Sequence, residues 1–300
     1  MKGLAKMPPL EETAIIDLVD CSSSSEREAV AEHSSHQLGF FGLVDDPFSD
    51  SVNPQFFYRT DAHEAAFVAM KRCIEDNVSL GLTTAVSGTG KTLLTQVLLQ
   101  DLDPERYRPA LVLVYPRMSP AALLREICTE LGVEIASKRP TMHELVAAIH
   151  QEIMALYLKG IKLVLIMDEV HFLTAASLQM LRTLSNIEIP QRKLVTILLF
   201  GEDSFLKKLG EPTFRSILSR MYTRVRLRPL TVEEVEQYVK FRLLLVNGRP
   251  GVFHAECFGW LQEKTEGIPR EINRICHNAL QRAALARKPT ITRALLEEVE

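Results

Sequence analysis

The run Leu80-Gly-Leu-Thr-Thr-Ala-Val-Ser-Gly-Thr-Gly-Lys-Thr-Leu-Leu-Thr-Gln96 constrains this chain more than any other stretch. An apolar, β-branched run reaches Thr84, a glycine-containing loop follows, and an amphipathic segment starts at Lys91. Strand, loop and helix in that order are what a phosphate-binding loop requires. Gly88 and Gly90 let the backbone turn so that several N–H groups point inward, and the helix opening at Lys91 adds its positive dipole end. In this reading the cradle is Ser87, Gly88, Thr89, Gly90, Lys91, Thr92 and Leu93. Lys91 reaches the β- and γ-phosphates of ATP, and the Thr92 hydroxyl goes to Mg²⁺. Ala85 stands where the strict motif has its first glycine. Alanine is the smallest replacement and keeps the loop intact if its φ stays negative.

The rest of the chain supplies the setting. Apolar runs at Ala110–Tyr115, Ile161–Asp168, Leu194–Phe200 and Tyr222–Leu227 alternate with helical patterns at 61–76, 119–131, 141–159 and 173–187. Strands that are apolar throughout, separated by helices, predict a parallel sheet covered on both faces. Asp61 is the expected cap of the first helix. From Thr231 onward only helical patterns occur, opened by a capping box of Thr231 and Glu234. The expected fold is thus α/β: a five-stranded parallel-sheet phosphate-loop domain over 39–229, then a small all-helical lid over 230–300. Residues 1–38, with Pro8-Pro9 and a serine tract, read as a flexible N-terminal arm. The Gly39–Thr60 stretch is broken by Pro47 and Pro54 and reads as a loop anchored by its aromatics.

Composition excludes several classes. A net charge of −3 gives no global field toward nucleic acid or an anionic surface. Cys21, Cys73, Cys128, Cys257 and Cys276 are widely spaced and form no C-x-x-C pair, so they read as reduced thiols, neither a disulfide framework nor a zinc site. No integral membrane segment is legible in the apolar runs, and a soluble, cytoplasmic protein is expected.

The run Ile161-Lys-Leu-Val-Leu-Ile-Met-Asp-Glu169 ends abruptly in two acids. An acid at the carboxyl end of a strand beside the phosphate loop faces the ligand crevice of a parallel sheet, which is the Walker B arrangement. Asp168 holds Mg²⁺ together with Thr92, and Glu169 orients and polarises the attacking water. His171 has no partner at metal-ligand spacing and reads as a site-adjacent or helix-start residue.

With these parts in place the chain resembles an AAA+ ATPase, and more narrowly the ExeA/GspA-type secretion ATPases and the related transposon-encoded (TnsC/MuB-like) ATPases. The resemblance rests on Phe41-Gly-Leu-Val-Asp-Asp-Pro-Phe48, Ser87-Gly-Thr-Gly-Lys-Thr92, Asp168-Glu-Val-His171, Leu184-Ser-Asn-Ile-Glu188 and Gly267-Ile-Pro-Arg-Glu-Ile-Asn273. It implies a sensor 2 arginine at Arg270 that reaches the γ-phosphate, and an arginine finger at Arg220, with Arg215 as the fallback. A finger acts on a neighbour's nucleotide, so the resemblance also implies a homo-oligomer, ring or filament. It places sensor 1 near Gly201-Glu202-Asp203, where relatives usually carry Gly-Gln, and gives Pro47 and Phe48 two roles, lining the adenine pocket or packing the two domains together. Two uses of the ATP are implied. One is to drive a secretion or pilus machine. The alternative is to regulate transposition by ATP-dependent DNA binding and transposase recruitment, with Arg215, Arg220, Arg224, Arg226 and Arg228 as phosphate contacts. A non-hydrolysing nucleotide switch is a third reading, against which Glu169 counts.

Overall fold

The computed structural model describes residues 38–190 and 192–299. The arm expected over 1–38 lies outside them except for Leu38. Five strands form the sheet: β1 (Leu80–Ala85), β2 (Tyr107–Leu113), β3 (Lys162–Asp168), β4 (Val195–Glu202) and β5 (Met221–Arg226). All are parallel, in the spatial order β2-β3-β4-β1-β5. The three inner strands are buried almost end to end, whereas β5 at one edge alternates buried and exposed residues. Pro109 sits in β2, the other edge strand, where its missing N–H leaves no ladder bond unmade.

The apolar inner strands divide their residues by pleat between two cores. Leu163, Leu165 and Met167 of β3 join the side built by α3 (Pro120–Leu131), α4 (Met142–Leu158) and α5 (Ala175–Leu184). Val164 and Ile166 face the other side, under α1 (Asp61–Glu75) and α2 (Lys91–Asp101). The chain leaves β1 for β2 at the far edge, returns through β3 and β4, and ends in β5 on the opposite flank of β1. The carboxyl end of β1 is therefore the topological switch point, where the crevice of such a sheet opens.

Between β4 and β5 lie two short helices, α6 (Ser204–Leu209) and α7 (Arg215–Leu218). The helical domain follows as α8 (Val232–Leu245), α9 (Glu256–Thr265), α10 (Pro269–Leu285) and α11 (Arg293–Val299). Both halves of the Thr231/Glu234 capping box form. Leu43, Phe48 and Phe56 from the segment before α1 are buried in this helical core, so the loop that precedes the α/β domain in sequence packs with the lid.

Two local details differ from the sequence reading. Thr60, not Asp61, caps α1, its hydroxyl accepting from His63 N–H, while Asp61 takes the first helical position, where a carboxylate suits the dipole. The end of the helix expected over 173–187 gives way to an antiparallel pair, Glu188–Ile189 with Arg192–Lys193, beside Pro190. Among the described residues no helix is long and apolar enough to cross a membrane.

Candidate active site

At the end of β1 the backbone turns through Gly88 and Gly90, with φ of +79° and +99°, the left-handed region in which a side chain is strained. Gly90 is the N-cap of α2 and offers no side chain to it, so the first-turn N–H groups stay directed into the loop. Ala85 is fully buried and is absent from the positive-φ residues, so it replaces the usual glycine without strain. Thr89 Oγ1 closes the loop on the Val86 carbonyl at 2.8 Å.

Lys91 is 6% exposed, and its Nζ donates to the Ala85 and Val86 carbonyls at 3.3 and 3.2 Å. Burial lowers its pKa, against the opposing pull of Glu169, Glu202, Asp168 and Asp203. One ammonium thus faces four carboxylates across a cradle of backbone N–H groups. A divalent cation offsets the carboxylate excess, and the backbone N–H groups with Lys91 suit the phosphates it would accompany.

Thr92 Oγ1 donates to Asp168 Oδ2 at 2.9 Å, which joins the first turn of α2 to the end of β3. The other Asp168 oxygen accepts from Glu169 N–H at 2.8 Å. Two hard oxygens held side by side suit Mg²⁺, which takes few protein ligands and completes its shell with phosphate and water. Among the described residues no group of three or more His, Cys, Asp or Glu could hold a metal, in keeping with so sparse a site. Glu169 adopts φ +57° and lines the cleft, with Oε2 buried and without a hydrogen-bond partner, 3.2 Å from Nδ1 of His171. A carboxylate in the same cleft as Lys91 and Thr92, with an imidazole against one oxygen, can serve as a water-activating base.

The helical domain closes over this floor. Arg270 N–H donates to the Gly88 carbonyl at 3.2 Å, and a Cβ on Gly88 would stand 2.9 Å from Arg270 Cβ. The Arg270 side chain is mostly exposed and lines the cleft, 3.9 Å from Asp50. Opposite it run Ser49–Val52, with Tyr238, Arg242 and Asn273 behind. An apolar recess adjoins the cleft, walled by Phe56, Phe57, Tyr58, Leu93, Leu230 and Pro269. Its lining is apolar and aromatic, the kind of surface against which a base could stack.

Pro47 and Phe48 lie elsewhere. Both are buried, Phe48 stacks edge-on with Phe253, and neither lines the cleft or the recess. The Phe48 side chain is spent on the helical core, and it is the residues that follow, 49–52 and 56–58, that line the cleft and the recess. Arg220 also lies outside the cleft, its Nη1 hydrogen-bonded to Asn186 Oδ1. Of the other arginines, Arg226 is paired with Asp203 at 2.7 Å and Arg228 with Glu234, both at the solvent-exposed surface.

His63 was not foreseen as a site residue. It is 3% exposed, its Nε2 meets the Thr89 carbonyl at 3.0 Å, and its Nδ1 lies 2.7 Å from Thr60 Oγ1. Burial lowers its pKa, so the neutral ring donates from Nε2 and buttresses the phosphate loop from below. No spacing in the sequence marks it, because the contact spans α1 and the loop.

A phosphate loop, a strand-end acid pair and a helical lid on this sheet order define a P-loop protein with the AAA+ fold. Residues 75–209 match the AAA domain model. The chain is 33% identical over 248 residues to General secretion pathway protein A of Aeromonas hydrophila, an alignment covering 83% of this chain and 45% of that protein. It thus spans about half the length of the curated relative it matches. Similar solved structures include Cdc6p from Pyrobaculum aerophilum, with TM-score 0.66 and 16% identity over 86% of this chain and 72% of that one. The Aeropyrum pernix ORC2 protein superposes with TM-score 0.63 and 16% identity, covering 84% and 70%. This chain therefore carries an AAA domain in an AAA+ fold and resembles the secretion-pathway A proteins.

Proposed function

We propose that this protein binds ATP with Mg²⁺ and hydrolyses it as a cytoplasmic, oligomeric switch or motor, of the kind that serves a secretion or pilus machine. The observation that carries the reading is the 2.9 Å bond from Thr92 to Asp168, set beside buried Lys91 and the Glu169 carboxylate that lines the same cleft. The similarity to General secretion pathway protein A supports the choice of machine.

Phosphates in the loop replace the Ala85 and Val86 carbonyls as partners of Lys91, and their charge favours its ammonium form. Thr92 and Asp168 would hold Mg²⁺, which neutralises phosphate charge when bound. Glu169 takes a proton from the water whose oxygen attacks the γ-phosphorus, and the bond to the bridging oxygen breaks toward ADP. Arg270, carried at the start of α10, stabilises the charge on the transferring group. Arg220 faces away from its own cleft and is assigned to the neighbour's nucleotide, which makes the active site a property of the oligomer. DNA contact by the 215–228 arginines is less well supported, since Arg226 and Arg228 already have acidic partners.

The test is Glu169→Gln, which keeps the shape and removes the base. It should bind MgATP like the wild type and turn it over at least ~100-fold more slowly. Turnover within a few-fold of wild type would remove Glu169 from the mechanism, and absence of ATP binding by the wild type would remove the nucleotide reading itself.

A further inference from the structure

The wall of the cleft contains a buried relay whose direction is fixed by chemistry. Arg242 is 5% exposed and can only donate. Its Nε binds the Pro47 carbonyl, its Nη2 meets the Ser49 carbonyl at 3.5 Å, and its plane lies 4.5 Å from the Phe56 ring centroid. The remaining arm, Nη1, donates to Tyr238 Oη at 2.7 Å. The phenol, having accepted from arginine, donates its one proton to Asn273 Oδ1 at 2.7 Å. Burial of Tyr238 raises its pKa, against the pull of Arg242, so the phenol keeps the proton that this requires.

The consequence falls on Asn273. A side-chain amide has an acceptor end and a donor end, and here the acceptor end is taken. Nδ2 has no hydrogen-bond partner among the described residues, and Asn273 lines the cleft. It lies one turn after Arg270 on α10, on the same helix face. Tyr238 borders both the cleft and the apolar recess, so the amide stands between the phosphate loop and the base pocket. What a nucleotide presents there is sugar and phosphate oxygen.

We propose that Asn273 is a nucleotide-positioning residue: its Nδ2 donates to an oxygen of the sugar–phosphate part of the bound nucleotide, and Arg242 and Tyr238 hold the amide in that orientation. The proposal rests on the nucleotide reading above and gives a role to the last residue of the Gly267–Asn273 segment, in which only Arg270 had been assigned one. Without the Tyr238 hydroxyl the amide is free to turn its oxygen toward the ligand, exchanging an attraction for a repulsion.

The experiment is titration calorimetry of MgATP into the purified chain as wild type, Asn273→Asp, Tyr238→Phe and the double variant. Circular dichroism melts establish that each is folded. Asn273→Asp keeps the acceptor for Tyr238 and loses the donor but adds a charge, so Asn273→Ala, which loses the donor without one, is measured beside it. Asn273→Asp should weaken binding about 10-fold or more and Asn273→Ala about 5-fold or more, and an Asn273→Ala affinity within twofold of wild type would also overturn the proposal. Tyr238→Phe leaves every charge unchanged and should weaken binding by roughly 3-fold or more through amide rotation. If the hydroxyl acts through Asn273, the double variant is no weaker than Asn273→Asp alone. Additive losses, or an Asn273→Asp affinity within twofold of wild type, would overturn the proposal while leaving the nucleotide reading intact. Failure of the wild type to bind ATP would overturn both. Repeating the series with 2′-deoxy-ATP identifies the acceptor. Loss of the wild-type preference for ATP assigns the 2′-hydroxyl, and equal weakening of both ligands assigns another oxygen of the sugar–phosphate part.

Discussion

Gly267→Ala tests how tightly the lid is set on the phosphate-loop domain. Gly267 ends the turn between α9 and α10 at φ +70°, and a Cβ there would stand 2.1 Å from the Leu230 carbonyl oxygen. That oxygen belongs to backbone and must retreat by roughly 1 Å, since close-packed interiors leave no room for such an overlap. The same movement breaks the 2.9 Å bond from Leu230 N–H to the Gly267 carbonyl. The left-handed backbone costs an alanine about 1–2 kcal/mol, overpacking against a fixed group about 1–3, and the lost bond about 1, giving about 3–6 kcal/mol in all. Gly42 is the control. It has φ +67° with open space around its would-be Cβ, and it precedes Leu43 of the same helical core. Gly42→Ala should therefore cost only the backbone term, about 1–2 kcal/mol. The protein has one tryptophan, Trp260, 4% exposed within the helical domain, so urea unfolding followed by its fluorescence reports on both variants. Gly267→Ala should also slow ATP turnover, because the displaced turn carries Arg270. Equal destabilisation of the two variants would show that the turn sidesteps Leu230, and that Gly267 serves only its φ.

Lys91→Ala should abolish ATP binding in calorimetry, since it removes the one cation buried against the phosphate cradle. Arg220→Ala should fold and bind ATP but hydrolyse it roughly 10³-fold more slowly. Mixing it with Lys91→Ala should recover activity at interfaces pairing an intact Arg220 with an intact pocket, and co-assembly without recovery would exclude Arg220 as the shared group. The contact of His277 Nδ1 with Asp46 Oδ2 at 2.7 Å raises the histidine pKa above its ordinary value. For Asp46, burial raises the pKa but is outweighed by the His277 and Phe48 hydrogen bonds, leaving it lowered. The pair therefore stabilises most between about pH 4 and 6.5, loses strength as pH rises through the His277 pKa, and loses it again as pH falls through that of Asp46. Trp260-detected stability should fall by up to about 1 kcal/mol from pH 6 to 8, and His277→Gln should flatten that slope.

The parts of the site that are contiguous in sequence were legible, because local chemistry alone dictates them. A glycine-rich turn between an apolar strand and a helix needs no distant partner to be understood, and neither does an apolar strand ending in Asp168 and Glu169. The parallel, doubly covered sheet followed from strands apolar throughout, whereas the strand order came only from the structure, in which β5 and Pro109 sit at edges as their patterns allow. What was not legible depends on contacts between distant residues. His63 acts on Thr89 across 26 positions, and the aromatics of 56–58 become a base recess only when Leu230 and Pro269 arrive from the lid. Pro47 and Phe48 belong to a motif at the right place in the chain, yet Phe48 meets Phe253 and the Pro47 carbonyl meets Arg242, partners that no local pattern announces.

Those partners change how the cleft works. Leu43, Phe48 and Phe56 lie in the helical core, Arg242 holds the Pro47 and Ser49 carbonyls, and His277 holds Asp46, so the wall at 49–52 is fastened to the lid. The floor, from Ser87 to Thr92 with Asp168 and Glu169, belongs to the sheet. A ligand in the cleft thus touches two bodies whose cores are separate, and its phosphates lie where the bond from Arg270 N–H to the Gly88 carbonyl already joins them. Because Gly88 has no side chain, the lid approaches so closely that a Cβ there would stand 2.9 Å from Arg270 Cβ. The segment before α1 shares its core with that helix, so on the proposed function a shift of the loop between nucleotide states is expected to move α10 and the 49–52 wall together.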